Sequence, residues 1–489
     1  MDSTDNDLFG DREIVAEPER KPKSKKSELG QFFTGERIAA FMAGLFPQPR
    51  GSVRLLDAGA GQGALTKAFV ETARSRGFKG RLEAHVFEKD EEVIPDLRTA
   101  VAGLDADGKV FEGDFIERAA TMIKLGRGDR YTHSILNPPY GKINTGSAHR
   151  GFLRTVGLET VNLYPGFVGL AFEMLADGGE LVAIIPRSFC NGPYYLPFRR
   201  WMFARGAILH IHLFESRNKA FKSDGVLQEN IIIHMKRSVE QGDVKVTLST
   251  DDTFEDLSET THPFGKIVYP DDPEAFIHIP TGDDGELLSA PAFGHTLKDL
   301  GLAVATGPVV DFRLRGDMCA PDDADAVPLL YTSHFVDGEL VWPKENFKKS
   351  NAIRRNANTE KWMMPFGVYT IVKRFSSKEE RRRIVANVVD PARLPANEVL
   401  GFENHLNVIH KGKKPLPEDV AQGIAVFLNS TAVDRYFRRF NGHTQVNATD
   451  LRTMRFPSID AIRSLGTWVK ELGRRPTDDE IDRKIESLA

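Results

Sequence analysis

Val53-Arg54-Leu55-Leu56-Asp57-Ala58-Gly59-Ala60-Gly61-Gln62-Gly63 is the stretch that decides the fold. Val53, Leu55 and Leu56 form a short apolar run that reads as a buried strand. Glycines at 59, 61 and 63 then allow a sharp turn, and Ala64 to Ala73 has the apolar spacing of a helix. Strand, glycine turn and helix together make the opening unit of a ligand-binding α/β fold, with the ligand at the carboxyl end of the strand. Several nucleotide- and dinucleotide-binding folds use such loops, and a plain strand-to-helix turn has the same pattern.

Working outward, helix and strand patterns alternate through the N-terminal half. Glu36 to Phe46 has helical apolar spacing, and His85-Val86-Phe87 and Ser134-Ile135-Leu136 read as strands. Val168 to Leu175 is helical, Gly178-Gly179 is a turn, and Leu181 to Ile185 is a buried strand. Ile208 to Phe214 and Ile231 to Met235 supply further strands. This alternation predicts an α/β domain with a mostly parallel sheet and helices on both faces.

Two acids sharpen the reading of the loop. Glu88 ends the second strand, 25 residues after Gly63, where a carboxylate can accept both hydroxyl hydrogens of a ribose. Asp114 follows Val110-Phe111 at the end of a third strand, where a carboxylate can accept from the exocyclic amine of adenine. In that order, after successive strands, they fit a bound adenosine. Asp57 would repel a phosphate but suits a cationic sulfonium amino acid, which favours S-adenosylmethionine over NAD.

Asn137-Pro138-Pro139-Tyr140 lies 80 residues beyond Asp57, directly after a strand. The prolines fix φ and remove N–H donors, so the loop is stiff. The Asn137 side-chain oxygen and the Pro138 carbonyl can both accept from one NH2 group, and Tyr140 offers a flat face for a planar ring. Such acceptors draw away the positive charge that develops when an exocyclic amine attacks a methyl group. The chemistry requires no metal, and Cys190 and Cys319 give no metal-binding pattern.

On these residues the chain resembles the N6-adenine-specific DNA methyltransferases in the gamma arrangement, of the TaqI and PstI type. Leu29-Gly30-Gln31-Phe32-Phe33-Thr34 resembles the family's first motif. The resemblance implies that Phe33 and Thr34 contact the methionine part of the cofactor. It assigns Asp57, Gly59 and Gly61 to the cofactor loop, Glu88 to the ribose and Asp114 to the adenine. Asn137, Pro138, Pro139 and Tyr140 match the catalytic motif. Asn162 to Phe167 and Ile185 to Phe189 resemble the motifs that follow. Lys219-Ala220-Phe221 resembles the segment whose Phe packs, with Tyr140, on the flipped target base. One departure stands at Gly35, where the family often has proline.

The charge of the 489-residue chain is −4, which alone points away from nucleic acid. Its distribution is more informative. Residues 251–300 hold two basic against twelve acidic side chains, and residues 344–455 hold twenty-one against eleven. The expected organisation is a mobile tail at 1–28, a Rossmann-like methyltransferase domain at 29–245 and an acidic connector with some local strand structure at 246–295. A mixed α/β target-recognition domain with a C-terminal helical tail follows at 296–489.

In that last domain, Thr306 to Arg313, Glu403 to Asn407 and Asn441 to Arg452 resemble recognition segments of PstI-type relatives. Amides and arginines can read base edges while lysines and arginines clamp phosphates. The candidates are Arg313, Lys373, Arg374, Asn404, His405, Arg438, Arg439, His443, Thr444, Gln445 and Asn447. Asn and Gly also favour ordinary turns, so loop chemistry remains an alternative there. Double-stranded DNA is the expected partner, with a restriction endonuclease acting as a separate protein. The absence of an apolar run near 18 residues, or of a signal-type apolar core, predicts a cytoplasmic protein without a membrane partner. Methylation of RNA or of a protein glutamine, and a non-catalytic DNA-binding module, remain the rival readings.

Overall fold

The computed structural model describes residues 34–126, 130–215, 229–281, 288 and 290–489. The tail 1–28, Phe33 and Phe221 lie outside the described residues.

Strand β1 (Val53–Ala58) lies inside a nine-stranded sheet, with both of its faces apolar and both covered. Val53 and Leu55 face helices α1 (Glu36–Gly44) and α2 (Ala64–Ser75), packing with Ile38, Met42, Leu65 and Phe69. Leu56 and Ala58 share the opposite core with Phe115, Ile116, Val168 and Ala171. Beside β1 run the parallel strands β2 (Leu82–Glu88), β3 (Asp107–Glu112), β4 (Tyr131–Leu136) and β5 (Leu175–Pro186). Then come β6 (Gly206–Phe214), β7 (Asn230–Arg237), β8 (Val244–Ser249) and β9 (Ser258–His262), giving the order 3-2-1-4-5-7-6-8-9. β7 is antiparallel to both β5 and β6. That reversed strand separates this sheet from the dinucleotide order 3-2-1-4-5-6, while the 3-2-1-4 half keeps the same crevice at the strand ends.

Helices α3 (Ile94–Ala102), α4 (Phe115–Lys124), α5 (Ala148–Thr155), α6 (Leu163–Glu173) and α7 (Leu196–Phe203) complete the layers. α6 is buried nearly all round, as expected for a helix wedged between sheet and neighbours.

The acidic stretch opens on strand structure that belongs to the large sheet. β8 pairs parallel with β6 and β9 antiparallel with β8, so the large sheet runs on to His262. β9 has four exposed residues and no apolar alternation, which hid it from pattern reading. Next comes the single turn α8 (Phe264–Ile267) and then a buried run, Phe276 to Ile279. Ile277 donates its backbone N–H to the Cys190 carbonyl and Ile279 donates to that of Arg439, so this run threads between the two halves.

The C-terminal part holds β10 (Ala303–Thr306), β11 (Met318–Cys319), β12 (Ala326–Leu330), β13 (Phe335–Val336) and β14 (Glu339–Leu340). It continues with β15 (Ala352–Arg354), β16 (Met363–Pro365), β17 (Tyr369–Lys373), β18 (Ala386–Val389), β19 (Val399–Phe402) and β20 (Leu406–His410). They form sheets in the orders 10-20-17-18 and 11-15-12-19-16, with 13-14 as a ribbon. Helices α9 (Glu418–Leu428), α10 (Thr431–Arg438), α11 (Ala448–Thr453), α12 (Ile459–Leu472) and α13 (Asp478–Glu486) follow. α9 and α12 touch backbone to backbone, since a Cβ at Gly423 would stand 1.8 Å from the Ile462 oxygen.

Candidate active site

Asn137 stands at the carboxyl end of β4, beside the end of β1. Its Nδ2 donates to Thr34 Oγ1 at 3.0 Å, and the Tyr140 hydroxyl donates to its Oδ1 at 2.9 Å. Those two bonds fix which way the amide faces. Pro138 and Tyr140 are buried and Pro139 is half-buried. Tyr140 meets Tyr164 edge-on, with ring centroids 6.2 Å apart.

The glycine loop lies against this tetrapeptide. Gly59, Gly61 and Gly63 all have positive φ, and Gly59 and Ala60 both donate to the Phe87 carbonyl. A Cβ on Gly59 would be 3.6 Å from Phe167 and 3.8 Å from Pro139. Loop, tetrapeptide and α6 therefore converge at one point, in the crevice where this class of sheet binds ligands.

The three acids of the loop region are held differently. Asp57 is fully buried; Thr66 Oγ1 donates to its Oδ2 at 2.6 Å, while Oδ1 finds no hydrogen-bond partner among the described residues. Burial pushes its carboxyl up to about 7, and the charge of Glu88 adds to the rise. Glu88 Oε2 accepts from the Gly61 N–H, and Oε1 accepts from the N–H groups of Lys89 and Asp90. This grip fixes the carboxylate at the loop and leaves lone pairs for hydroxyl donors. Asp114 caps α4 by accepting from the Glu117 N–H, and its Oδ2 pairs with Lys89 and His149. Burial raises the Asp114 carboxyl, but the bonds from His149, Lys89 and Glu117 outweigh it and hold it below the usual range.

These residues fit S-adenosylmethionine. A cationic ligand would compensate the unpartnered buried oxygen of Asp57, and the bare Gly59 leaves room that a side chain would fill. The residues after the tetrapeptide are also pinned: Leu163 donates its N–H to the Gly141 carbonyl at 2.8 Å, and Ile143 donates to that of Val161.

Comparison with known proteins gives the family. Residues 89–221 match the family model described as Eco57I restriction-modification methylase. The chain is 49% identical to the Type II methyltransferase M.BsuBI of Bacillus subtilis over 95% of its own length and 94% of that protein's. It is 40% identical to the Type II methyltransferase M.PstI of Providencia stuartii, with the same coverage of both chains. The chain belongs to the Type II methyltransferases. Its cofactor is S-adenosylmethionine and its activity is that of a DNA methyltransferase of restriction–modification type. The fold as a whole is like that of the Type ISP restriction–modification enzyme LlaGI solved with a DNA substrate mimic. That likeness has a TM-score of 0.50 at 11% identity, over 91% of this chain and 55% of that one.

In this methyltransferase the candidates for DNA reading fall into two groups. Arg313 and Thr444 are exposed, and His405 is half-exposed with Nδ1 bound to the buried carboxylate of Glu403. Asn404 accepts through its carbonyl from Arg374, and Lys373, the last residue of β17, pairs with Glu380. The others belong to a seam between the two halves. Arg438 spends its guanidinium on Asp434 and on the carbonyls of Lys378 and Glu380. Arg439 is buried, and Arg187 donates to the carbonyls of both Arg438 and Arg439. Asn447 makes a capping box with Asp450 at the start of α11, and Gln445 bridges to Phe375. His443 packs on Tyr195.

Sequence reading missed several partners of the site. Thr66 lies within the helix pattern that follows the glycine loop, so it could have been paired with Asp57. His149 and Tyr195 carried no signal, because they reach the site from α5 and from the short 3-10 turn Pro193–Tyr195, 35 and 33 positions from the residues they bind.

Proposed function

We propose that the protein transfers the methyl group of S-adenosylmethionine to the N6 amine of a specific adenine in double-stranded DNA, with the base flipped out of the stack. The observation that carries this reading is the Asn137 amide, oriented by Thr34 and Tyr140 and set against the glycine loop. An amide oxygen so oriented, beside the Pro138 carbonyl, suits an NH2 group as its two-hydrogen donor. When bound, the cofactor supplies a methyl group on a sulfonium centre that a weak nucleophile can attack. Asn137 and Pro138 would accept the amine hydrogens, withdraw positive charge as the C–N bond forms, and leave the displaced proton to solvent. Tyr140 and Phe221 would stack on the extruded base. Asp57, Gly59, Gly61, Glu88 and Asp114, with Phe33 and Thr34, would hold the cofactor. The biological role would be protection of host DNA, with restriction carried by a separate endonuclease.

Single-molecule sequencing of DNA from cells expressing the protein tests the reading. N6-methyladenine within one short motif is expected. Modified cytosine, or tritium transfer to RNA or protein but not to DNA, would overturn it. Asn137→Ala should abolish transfer and keep cofactor binding by calorimetry.

A further inference from the structure

The segment Asn441-Gly442-His443-Thr444-Gln445 is placed against the catalytic half, with Thr444 its one exposed residue. Gly442 makes the approach possible: a Cβ there would be 2.7 Å from the Arg187 backbone. The Gly442 N–H donates to Asn191 Oδ1 at 3.4 Å, and Asn191 Nδ2 donates to Asp450 Oδ1 at 3.2 Å. Asn191, Asn441 and Asp450 are all buried. His443 is fixed through its main chain, because its N–H donates to Asn441 Oδ1 and its carbonyl accepts from the buried Arg383.

The imidazole so held faces Tyr195. The two rings are 29° from parallel with centroids 6.1 Å apart, and a Cβ at Gly192 would be 3.3 Å from His443 Nε2. Gly192 has φ +81, a conformation that L side chains rarely adopt. The Tyr195 hydroxyl donates to Asn162 Oδ1 at 3.0 Å. Asn162 bridges to Lys142, and the next residue, Leu163, holds Gly141 through its N–H. Gly141 and Lys142 follow directly on the catalytic tetrapeptide. A second branch runs from Tyr195 through Ser188 Oγ at 3.4 Å to the Tyr164 hydroxyl at 3.0 Å, and Tyr164 meets the Tyr140 ring edge-on.

We infer that His443, acting through Tyr195 and Asn162, is a positioning residue for the catalytic loop, so that the docked C-terminal domain sets the geometry of Asn137. This rests on the reading of Asn137 as the catalytic amide. It differs from a base-reading role for His443, which would put the imidazole on DNA. Positioning errors of an ångström act on turnover more than on substrate affinity.

The test is methyl transfer to DNA by the full-length protein, counted as tritium whichever base receives it. His443→Ala should lower kcat by about tenfold or more with KM for DNA changed less than about threefold. His443→Phe keeps a flat ring against Tyr195 and should restore most of kcat. Tyr195→Phe keeps the ring and removes the bond to Asn162, and should lower kcat as His443→Ala does. Calorimetric affinity for S-adenosylmethionine should be unchanged in all three. A rise in DNA Kd at constant kcat in both His443 variants would make His443 a base reader and overturn the inference. So would unaltered kinetics in His443→Ala, or a loss that phenylalanine fails to restore. Should His443→Ala fold poorly, Tyr195→Phe decides alone, and normal kcat there overturns the inference. Asn137→Ala in parallel reports separately on the site itself: if it retains transfer, the reading of Asn137 fails whatever the His443 series shows.

Discussion

The Asn137 side chain is useful only if its oxygen, and not its nitrogen, faces the substrate. Thr34 enforces that choice, since its hydroxyl oxygen accepts from Nδ2 while Tyr140 donates to Oδ1. Thr34→Val keeps the shape and removes the acceptor. It should lower kcat about tenfold, the cost of one missing hydrogen bond to the reacting group, with the fold intact by circular dichroism. Asp57 is a second residue whose state depends on its neighbours. Its carboxyl, raised to about 7, is mostly protonated below neutral pH in the free protein. A cationic ligand favours the ionised form, so binding S-adenosylmethionine at pH 6.5 should release protons. Calorimetry in buffers of different ionisation enthalpy would measure the release, and Asp57→Asn should abolish it. The tetrapeptide and the loop were legible from sequence because their chemistry lies in adjacent residues. The contacts that aim them span 103 positions for Thr34 and Asn137, and no local pattern reports such a contact.

At the scale of elements, α1 and the turn after it rest on histidines from the strands beneath. Phe41 lies 4.7 Å from His212, and Phe46 lies 5.4 Å from His133 and 5.6 Å from His234. Burial, above all, pushes His133 and His210 down to about 4 and His212 to about 3. The unfolded chain takes up these protons near 6.5 and the folded one does not, so the stability they contribute is complete above 6.5. It should fall as pH drops from 6.5 toward 4, by about 1.4 kcal/mol per pH unit for each proton. Urea unfolding across that range measures the slope, and His212→Asn should remove about one proton from it. A slope identical to that of the unaltered protein would show that His212 is not a contributor. The alternation of strand and helix was readable because most strands of the large sheet are apolar over runs of several residues. β9 was not readable, being polar at an exposed edge, and the acid-rich sequence around it looked like a linker. The contact of α9 with α12 was equally silent, since a glycine in a helix pattern shows only a local cost. Gly423→Ala should destabilise the protein by at least ~2 kcal/mol with an unchanged m-value, because backbone would have to move.

For the whole molecule, the acidic and basic blocks of the sequence meet in a seam between the two halves. The acidic stretch feeds Phe276 and His278 against Tyr436 and Phe440, beside Arg439. Arg187 and Lys378 converge on the buried carboxylate of Glu229 across the same junction. Arginines that a charge count assigns to phosphates are therefore in part structural, and composition cannot tell the two uses apart. The structure shows which side chains are engaged within the protein and which are exposed. Arg438 has its donors on Asp434, Lys378 and Glu380, whereas Lys411, Lys413 and Lys414 form an exposed tip after β20. Charge reversal at Arg438 and Arg439 should lower the unfolding temperature by several degrees, through broken pairing and the burial of unmatched charge. Reversal of Lys411, Lys413 and Lys414 should leave stability within about 0.5 kcal/mol. It should reduce the slope of log K against log salt for DNA by about 0.9 for each phosphate that is no longer neutralised. Fluorescence anisotropy with a labelled duplex at several salt concentrations measures that slope. An unchanged slope in the lysine triple variant would move the phosphate contacts elsewhere, with the exposed Arg313 as the next side chain to reverse.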